Sequence, residues 1–349
     1  MELSTHTDMA GRALQRGVSA FKLIDNELKK VGELINEQLA LCPPINGIGR
    51  LIGCLSTSAG KMIRPGLVLL SYRLVRGGSC EEAAQERAGN KQYKAIRIAA
   101  IVEMVHNAAL LHDDVIDEGQ KRRGLPTVNS LWGNESAVLL GDFLLSRAFE
   151  MCADLEPKFQ RIVAAATART CVGELRQIIQ RKNWQLSESE YIDIITEKTA
   201  ALFSSCCHLG ALLAGGSKRQ VQLLNTFGLN AGIGFQITDD LLDIIGDENK
   251  VGKTLGSDIG KKKLTLAVID LLKVVDEKAK SLVISRLNAE RDGKKALIEM
   301  LRSYGSIGYA GGRAQEFVGT AIAALTGFKE SRAKDGLIEM ARFIERRVV

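Results

Sequence analysis

The chain has 349 residues, 46% of them hydrophobic and 25% charged, with a net charge of +6. That composition excludes a disordered or fibrous chain, and the length is enough for one large core. The mild positive excess suits anionic partners in general. Only 5% of residues are aromatic and no stretch interleaves Arg/Lys with stacking rings, so nucleic-acid binding is not expected.

The start, MELSTHTDMAGRALQRG, lacks the apolar core of a signal peptide, and no run of 18 apolar residues occurs, so no membrane span is expected. All five prolines lie at or before Pro157. The long stretch beyond it, with apolar residues at helical spacing, argues for extended helices. Strand signals are poor: Asn46-Gly47 follows a Pro-Pro pair, and Asp292-Gly293 and Asp335-Gly336 fall between helical patterns. In chain order the pattern predicts helices over 12–41, 60–77, 91–118, 134–154, 157–182, 187–213, 217–246, 261–289, 293–304, 306–326 and 329–347. Glycine pairs such as Gly77-Gly78, Gly215-Gly216 and Gly311-Gly312 mark joints. No long linker or repeat appears, which points to one all-α domain over 1–349, with 1–20 as an N-terminal segment. The seven cysteines (Cys42, Cys54, Cys80, Cys152, Cys171, Cys206 and Cys207) are odd in number and show no CxxC spacing. They read as mostly buried apolar residues in a reducing cytoplasm, not as a disulfide framework or zinc site.

Two segments carry chemistry. LLHDDVIDEG holds Asp113, Asp114 and Asp117, and FQITDDLLDIIGD holds Asp239, Asp240 and Asp243. In D-D-x-x-D the first and last carboxylates stack one turn apart and the middle one is turned by about 100°. Like charges at this spacing repel, and partly buried carboxylates are costly without compensation. A single such cluster reads equally well as a solvated acidic face. Two copies, both inside apolar helices, point instead to a hard cation. Magnesium fits, because it takes oxygen ligands and commonly bridges one or two carboxylates to substrate phosphates.

Basic residues recur nearby. GKMIRP places Lys61 and Arg64 at i, i+3, and Arg122-Arg123 follow the first cluster. Lys253 and then Lys261–Lys263 follow the second, although a lysine run by itself usually reads as solvated surface. His106 lies seven residues before Asp113, about 20° off its face; a lone histidine on an apolar helix is more often a core residue than a ligand. His112 points elsewhere and is given no role.

The ordered set GKMIRP, DDVID, RRG, Lys198-Thr199, FQITDD and GKTLGSD, from residue 60 to the C-terminal RFIERR, resembles the trans-type isoprenyl diphosphate synthases. The resemblance implies an all-helical bundle around a central cavity, usually a homodimer, using roughly three Mg²⁺ ions per site. It implies an isopentenyl diphosphate pocket at Lys61, Arg64, His106 and Arg123. It implies an allylic diphosphate site made by both aspartate clusters through Mg²⁺, with Arg122, Lys198, Thr199, Gln236, Lys253 and Lys263. The implied reaction ionises the allylic diphosphate, adds the isopentenyl double bond to the cation and loses a proton, with the released diphosphate as base. Where the family often has Arg, this chain has Met62; Lys262 and Ala267 replace the family's Gly and Pro.

Alternatives remain in the sequence. A terpene cyclase or head-to-head synthase has no need of GKMIRP. A non-catalytic partner subunit tends to lose an aspartate cluster, and both are intact here. A membrane-soluble product would be compatible with peripheral membrane contact. In this family, bulky aromatics four or five residues before the first aspartate keep the product short, as in farnesyl or geranylgeranyl diphosphate synthases. Here those positions are Ala109 and Ala108, above a stripe of Ile101, Met104 and Val105. The expectation is a hexaprenyl to decaprenyl product of the quinone side-chain type. On this reading Ala108→Phe shortens the product, as read from product masses; an unchanged distribution would refute it.

Overall fold

The computed structural model describes residues 19–42, 61–77, 85–122, 124–246, 260–288 and 293–346. Arg123 and Lys253 lie outside these residues. A 3-10 turn, Ser19–Ile24, leads into α1 (Asp25–Ala40); α2 (Ile63–Arg76) and α3 (Gln85–Ile116) follow. A two-residue-per-strand hairpin, β1 (Lys121–Arg122) with β2 (Leu125–Pro126), separates α3 from α4 (Val128–Ala153). Then come α5 (Pro157–Ile179), α6 (Glu188–Ile195), a π-helical turn (Thr196–Ala200), α7 (Ala201–Leu213) and α8 (Lys218–Ile245). The chain ends with α9 (Leu266–Val274), α10 (Glu277–Asn288), α11 (Gly293–Ser303), α12 (Ser306–Ala324), a 3-10 turn at Leu325–Gly327, and α13 (Arg332–Glu345).

The helices start where the sequence supplies caps. Ser187 with Glu190, and Ser217 with Gln220, form reciprocal capping boxes at α6 and α8. Thr127 and Ser331 cap α4 and α13, and Pro157 opens α5. One buried apolar cluster joins α1–α4, α7 and α13; a second joins α6, the last turns of α8 and α9–α12. Helix α3 runs through the first cluster and α8 through both, and these two helices carry the aspartates.

The all-helical expectation holds, with four local differences. The predicted helix 187–213 is three pieces, because a π turn interrupts it at Thr196–Ala200. The predicted helix 261–289 is two, with Val275 extended between α9 and α10. Helix α4 begins six residues earlier than 134, bending at Gly133 (φ +85°). The hairpin was not anticipated; its turn contains Gly124 at φ +78°, where a side chain would be strained. The segment Asn90–Ile116 of α3 is by length and composition apolar enough to span a bilayer, but 67% of its most apolar window is buried inside the protein, as in a core helix. Among the described cysteines Cys152, Cys206 and Cys207 are buried as expected, while Cys171 is exposed.

The π turn is wedged between two helices at glycines. A Cβ on Gly173 of α5 would fall 2.2 Å from the Lys198 backbone nitrogen, and one on Gly232 of α8 would fall 2.6 Å from Ala200 Cα. Both clashes are with backbone or its attached carbon, which cannot swing aside. Gly173→Ala is therefore expected to destabilise the fold by about 1–3 kcal/mol in denaturant unfolding. Gly311→Ala, in α12 with open space around its Cβ, should be neutral or stabilising by about 0.5–1 kcal/mol.

Candidate active site

The first cluster sits at the C-terminal end of α3. Asp113, Ala109 and His106 are half-buried along one face, while Asp114 is turned toward the core and 7% exposed. Ile101, Met104, Val105 and Ala108 lie on the opposite arc, fully buried in the first apolar cluster. Ala109, one turn below Asp113, therefore occupies the aspartate face, and Ala108 does not.

Each aspartate of this cluster has a different environment. Arg122, held in β1, grips Asp114 with Nε at 3.0 Å from both carboxylate oxygens and Nη2 at 2.8 Å from Oδ1. The hairpin is anchored for this grip: Asn129 Nδ2 donates to the carbonyls of Asp114 (3.1 Å) and Gly119 (3.0 Å), and Thr127 Oγ1 donates to Gly119 O at 2.6 Å. Asp117 meets Lys263 at 2.9 Å, Lys261 at 3.0 Å and Arg181 at 3.5 Å. Burial would raise its carboxyl, but the Lys263 and Lys261 ammoniums overcome this and hold it at about 2. Asp113 goes the other way. Burial, with the neighbouring Glu174 and Asp117 carboxylates, pushes it up to about 6 against the pull of Lys198 and Arg122.

The second cluster lies near the end of α8, with Asp240 6% exposed and Asp243 fully buried. Asp240 accepts from Tyr191 OH at 2.7 Å and from Gln236 Nε2 at 2.7 Å, and Gln236 in turn accepts from Thr199 Oγ1 at 2.6 Å. The two clusters face a common cation. Burial would lower the Arg122 guanidinium, but Asp114 first, then Asp113 and Asp239, keep it above its ordinary value. Lys198 projects from the π turn to Glu174 (2.5 Å) and Gln177 (2.7 Å) on α5. A π turn inside an α-helix is common at functional sites, and here it presents Lys198 and Thr199 side by side. Arg169 fixes it from outside through two bonds to Glu197, at 2.7 and 3.1 Å.

The structure thus brings together Asp113, Asp114, Asp117, Arg122, Lys198, Thr199, Gln236, Asp239, Asp240 and Lys263. Lys61 and Arg64 flank the start of α2, on either side of Met62, which is in the left-handed region (φ 49°). His112 contacts the Val138 carbonyl at 3.1 Å and packs over Gly141, a packing role that agrees with its exclusion from the site.

Sequence reasoning missed Glu174, Gln177, Arg181, Tyr191 and Asn129. Glu174 and Gln177 share a helix face at i, i+3, a signal that was available; Tyr191 and Arg181 approach only through the tertiary fold. The departure at Lys262 has a geometric counterpart: its φ is +58°, where the family's Gly is free of strain and Lys costs about 1 kcal/mol. Its carbonyl accepts from Lys182 N at 3.2 Å, the contact that brings Lys261 and Lys263 to Asp117.

The donor set fits a hard divalent cation. It is carboxylate oxygen on two facing helices, with Asp113 disfavoured as a bare anion. Among the described residues no three His, Cys, Asp or Glu converge to enclose an ion. Magnesium needs only one or two carboxylates when water and phosphate complete its shell.

An all-helical chain with two acidic clusters in apolar helices, each answered by cations and hydrogen-bond donors, is the class that fold and site define. The chain belongs to the polyprenyl synthetase family, whose sequence profile matches residues 48–303. It is 34% identical to an octaprenyl diphosphate synthase of Haemophilus influenzae, over 92% of this chain and 94% of that one. It is 35% identical to a short chain isoprenyl diphosphate synthase of Methanothermobacter thermautotrophicus, over 83% and 87%. Among solved structures it is similar to a polyprenyl synthase from Caulobacter crescentus complexed with calcium and isoprenyl diphosphate. The TM-score is 0.85 at 29% identity, covering 96% of this chain and 99% of that one.

The Tyr191 hydroxyl donates to the buried Asp240 carboxylate. Tyr191→Phe should cost about 1.5–3 kcal/mol in denaturant unfolding, as for a lost hydrogen bond to a charged group. An unchanged midpoint would show that Asp240 does not depend on it.

Proposed function

We propose that the chain is a polyprenyl diphosphate synthase, condensing isopentenyl diphosphate head-to-tail with an allylic diphosphate. The observation that carries this reading is the convergence of both aspartate clusters on Arg122, with Lys198 beside Asp113. Asp113, Asp117, Asp239 and Asp243 would hold Mg²⁺, which when bound supplies Lewis-acid neutralisation of diphosphate charge. Asp114 and Asp240, held by Arg122 and by Tyr191 and Gln236, orient the helix ends and complete the ligand set.

Arg122, Lys198 and Lys263, with Lys253, bind the allylic diphosphate and stabilise the negative charge that grows on it as it leaves. Lys198 must exchange its contact with Glu174 for the phosphate, and Glu174 and Gln177 hold it in position until then. Thr199 and Gln236 form one hydrogen-bonded unit facing the same space and orient the leaving group. Lys61, Arg64, His106 and Arg123 bind isopentenyl diphosphate. The apolar helices around the clusters exclude water, which would otherwise quench the carbocation.

A long product is favoured by the small Ala109 on the aspartate face and by likeness to the octaprenyl synthase. The short chain relative keeps a farnesyl or geranylgeranyl product as the second reading. One domain over 1–349, a homodimer and a cytoplasmic setting belong to the same proposal. Support for the dimer is an exposed apolar stripe on α5, Val172, Leu175 and Ile179, beside exposed Leu139 of α4.

The test is a product assay with isopentenyl diphosphate, farnesyl diphosphate and Mg²⁺, with and without chelator. A ladder of isoprene additions abolished by chelator is expected, its longest abundant member giving the chain length. Ala109→Phe should shorten that ladder. No elongation from any primer, geranylgeranyl diphosphate included, would instead favour a non-catalytic partner subunit.

A further inference from the structure

The two cations at the start of α2 share an unusual support. Lys61 Nζ lies 4.6 Å from the ring centroid of Phe343, on α13, and Arg64 Cζ lies 5.0 Å from that of Phe203, on α7. Both distances are within the range for attraction between a cation and a ring face. Both rings also wall the same apolar cavity, with Phe21, Ile63, Leu67 and Met340 among its other lining residues. Phe203 is fully buried and continues to Phe235 of α8 at 5.2 Å between centroids. Phe235 immediately precedes Gln236, so the aromatic contacts run from Arg64 to the helix of the second acidic cluster.

Phe343 is the more informative ring. Lys61 is exposed, on a long flexible stem, just before a left-handed Met62 and outside the regular helix. The platform beneath it is rigid: Met340, Ala341 and Ile344 are buried on the inner face of α13. This face reaches α2 at Gly66, where an added Cβ would fall 2.9 Å from Phe21 Cε1 and 3.4 Å from Met340 Cε. The last helix of the chain thereby fixes the height of a ring against which the Lys61 ammonium rests.

We propose that Phe343 is a positioning residue for Lys61, so that α13 sets the affinity of the isopentenyl diphosphate subsite without touching the aspartate clusters. The inference rests on the reading of Lys61 as a ligand of that substrate. It links the C-terminal helix, through Lys61, to the binding of the substrate that is added, leaving the primer site unaffected. Phe203 supports Arg64 in the same manner from the core side.

The experiment is steady-state kinetics on the full chain with Phe343→Leu, which keeps an apolar side chain of helix-forming type but removes the ring face. The expected result is a rise in KM for isopentenyl diphosphate of roughly three- to tenfold. The KM for farnesyl diphosphate and kcat should stay as in the parent, and Phe343→Tyr or Phe343→Trp should restore the parent KM. In a double-mutant cycle, Phe343→Leu should add nothing once Lys61→Ala is present. Equal rises in both KM values, or additive effects in the cycle, would overturn the proposal by making Phe343 a packing residue only. If Lys61→Ala raises the isopentenyl diphosphate KM and Phe343→Leu does not, the positioning role fails while the subsite stands. If Lys61→Ala itself leaves that KM unchanged, the assignment of Lys61 to the subsite fails first, and the positioning role falls with it.

Discussion

Burying like-charged carboxylates inside apolar helices is the constraint on which the rest of this structure depends. Six aspartates in two D-D-x-x-D clusters interrupt the core stripes of α3 and α8, and Asp114, Asp240 and Asp243 are almost entirely removed from water. A buried charge of this kind is tolerated only when it is paired or hydrogen-bonded. The hairpin exists to aim Arg122 at Asp114. The segment after residue 260 bends through a strained Lys262 to deliver Lys261 and Lys263 to Asp117. Tyr191 and Gln236 satisfy Asp240. Asp113 is pushed up to about 6 by burial and its acidic neighbours. That imbalance makes the site receptive to a hard cation and an anionic substrate arriving together.

The second requirement is close approach. Lys198 and Thr199 can stand beside the aspartates only because the π turn that carries them is pressed between α5 and α8, and Gly173 and Gly232 leave room for backbone against backbone. The extra residue of the π turn turns Lys198 toward Glu174 and Gln177 and Thr199 toward Gln236. A regular α-helix through 187–213 would have set these two adjacent residues by its own periodicity alone. Packing density and chemistry are therefore coupled here: the same glycines that close the core also set where the cations sit.

At the start of α2, Lys61 and Arg64 lie over aromatic rings from distant parts of the chain. Phe203 and Phe343 are 140 positions apart yet line one cavity. The C-terminal helix thus meets the start of α2 while lying far from the acidic clusters in sequence.

The sequence by itself determined the helical class, because its apolar spacing and lack of prolines beyond Pro157 leave little else. It also supplied the expectation of a hard-cation site, since two D-D-x-x-D clusters inside apolar stripes have a cost that such a cation would offset. The i, i+4 register put Asp113 and Asp117 on one face without any coordinates. What only the tertiary structure decided is which cation answers which carboxylate: Arg122 to Asp114, and Lys261, Lys263 and Arg181 to Asp117. The same holds for the π turn, for Glu174 and Gln177 on Lys198, and for Ala108 facing the core while Ala109 faces the site. Local pattern encodes the periodicity of one helix. Pairing between helices depends on how closely their backbones approach, and that follows from glycines and turns whose partners are remote in the chain.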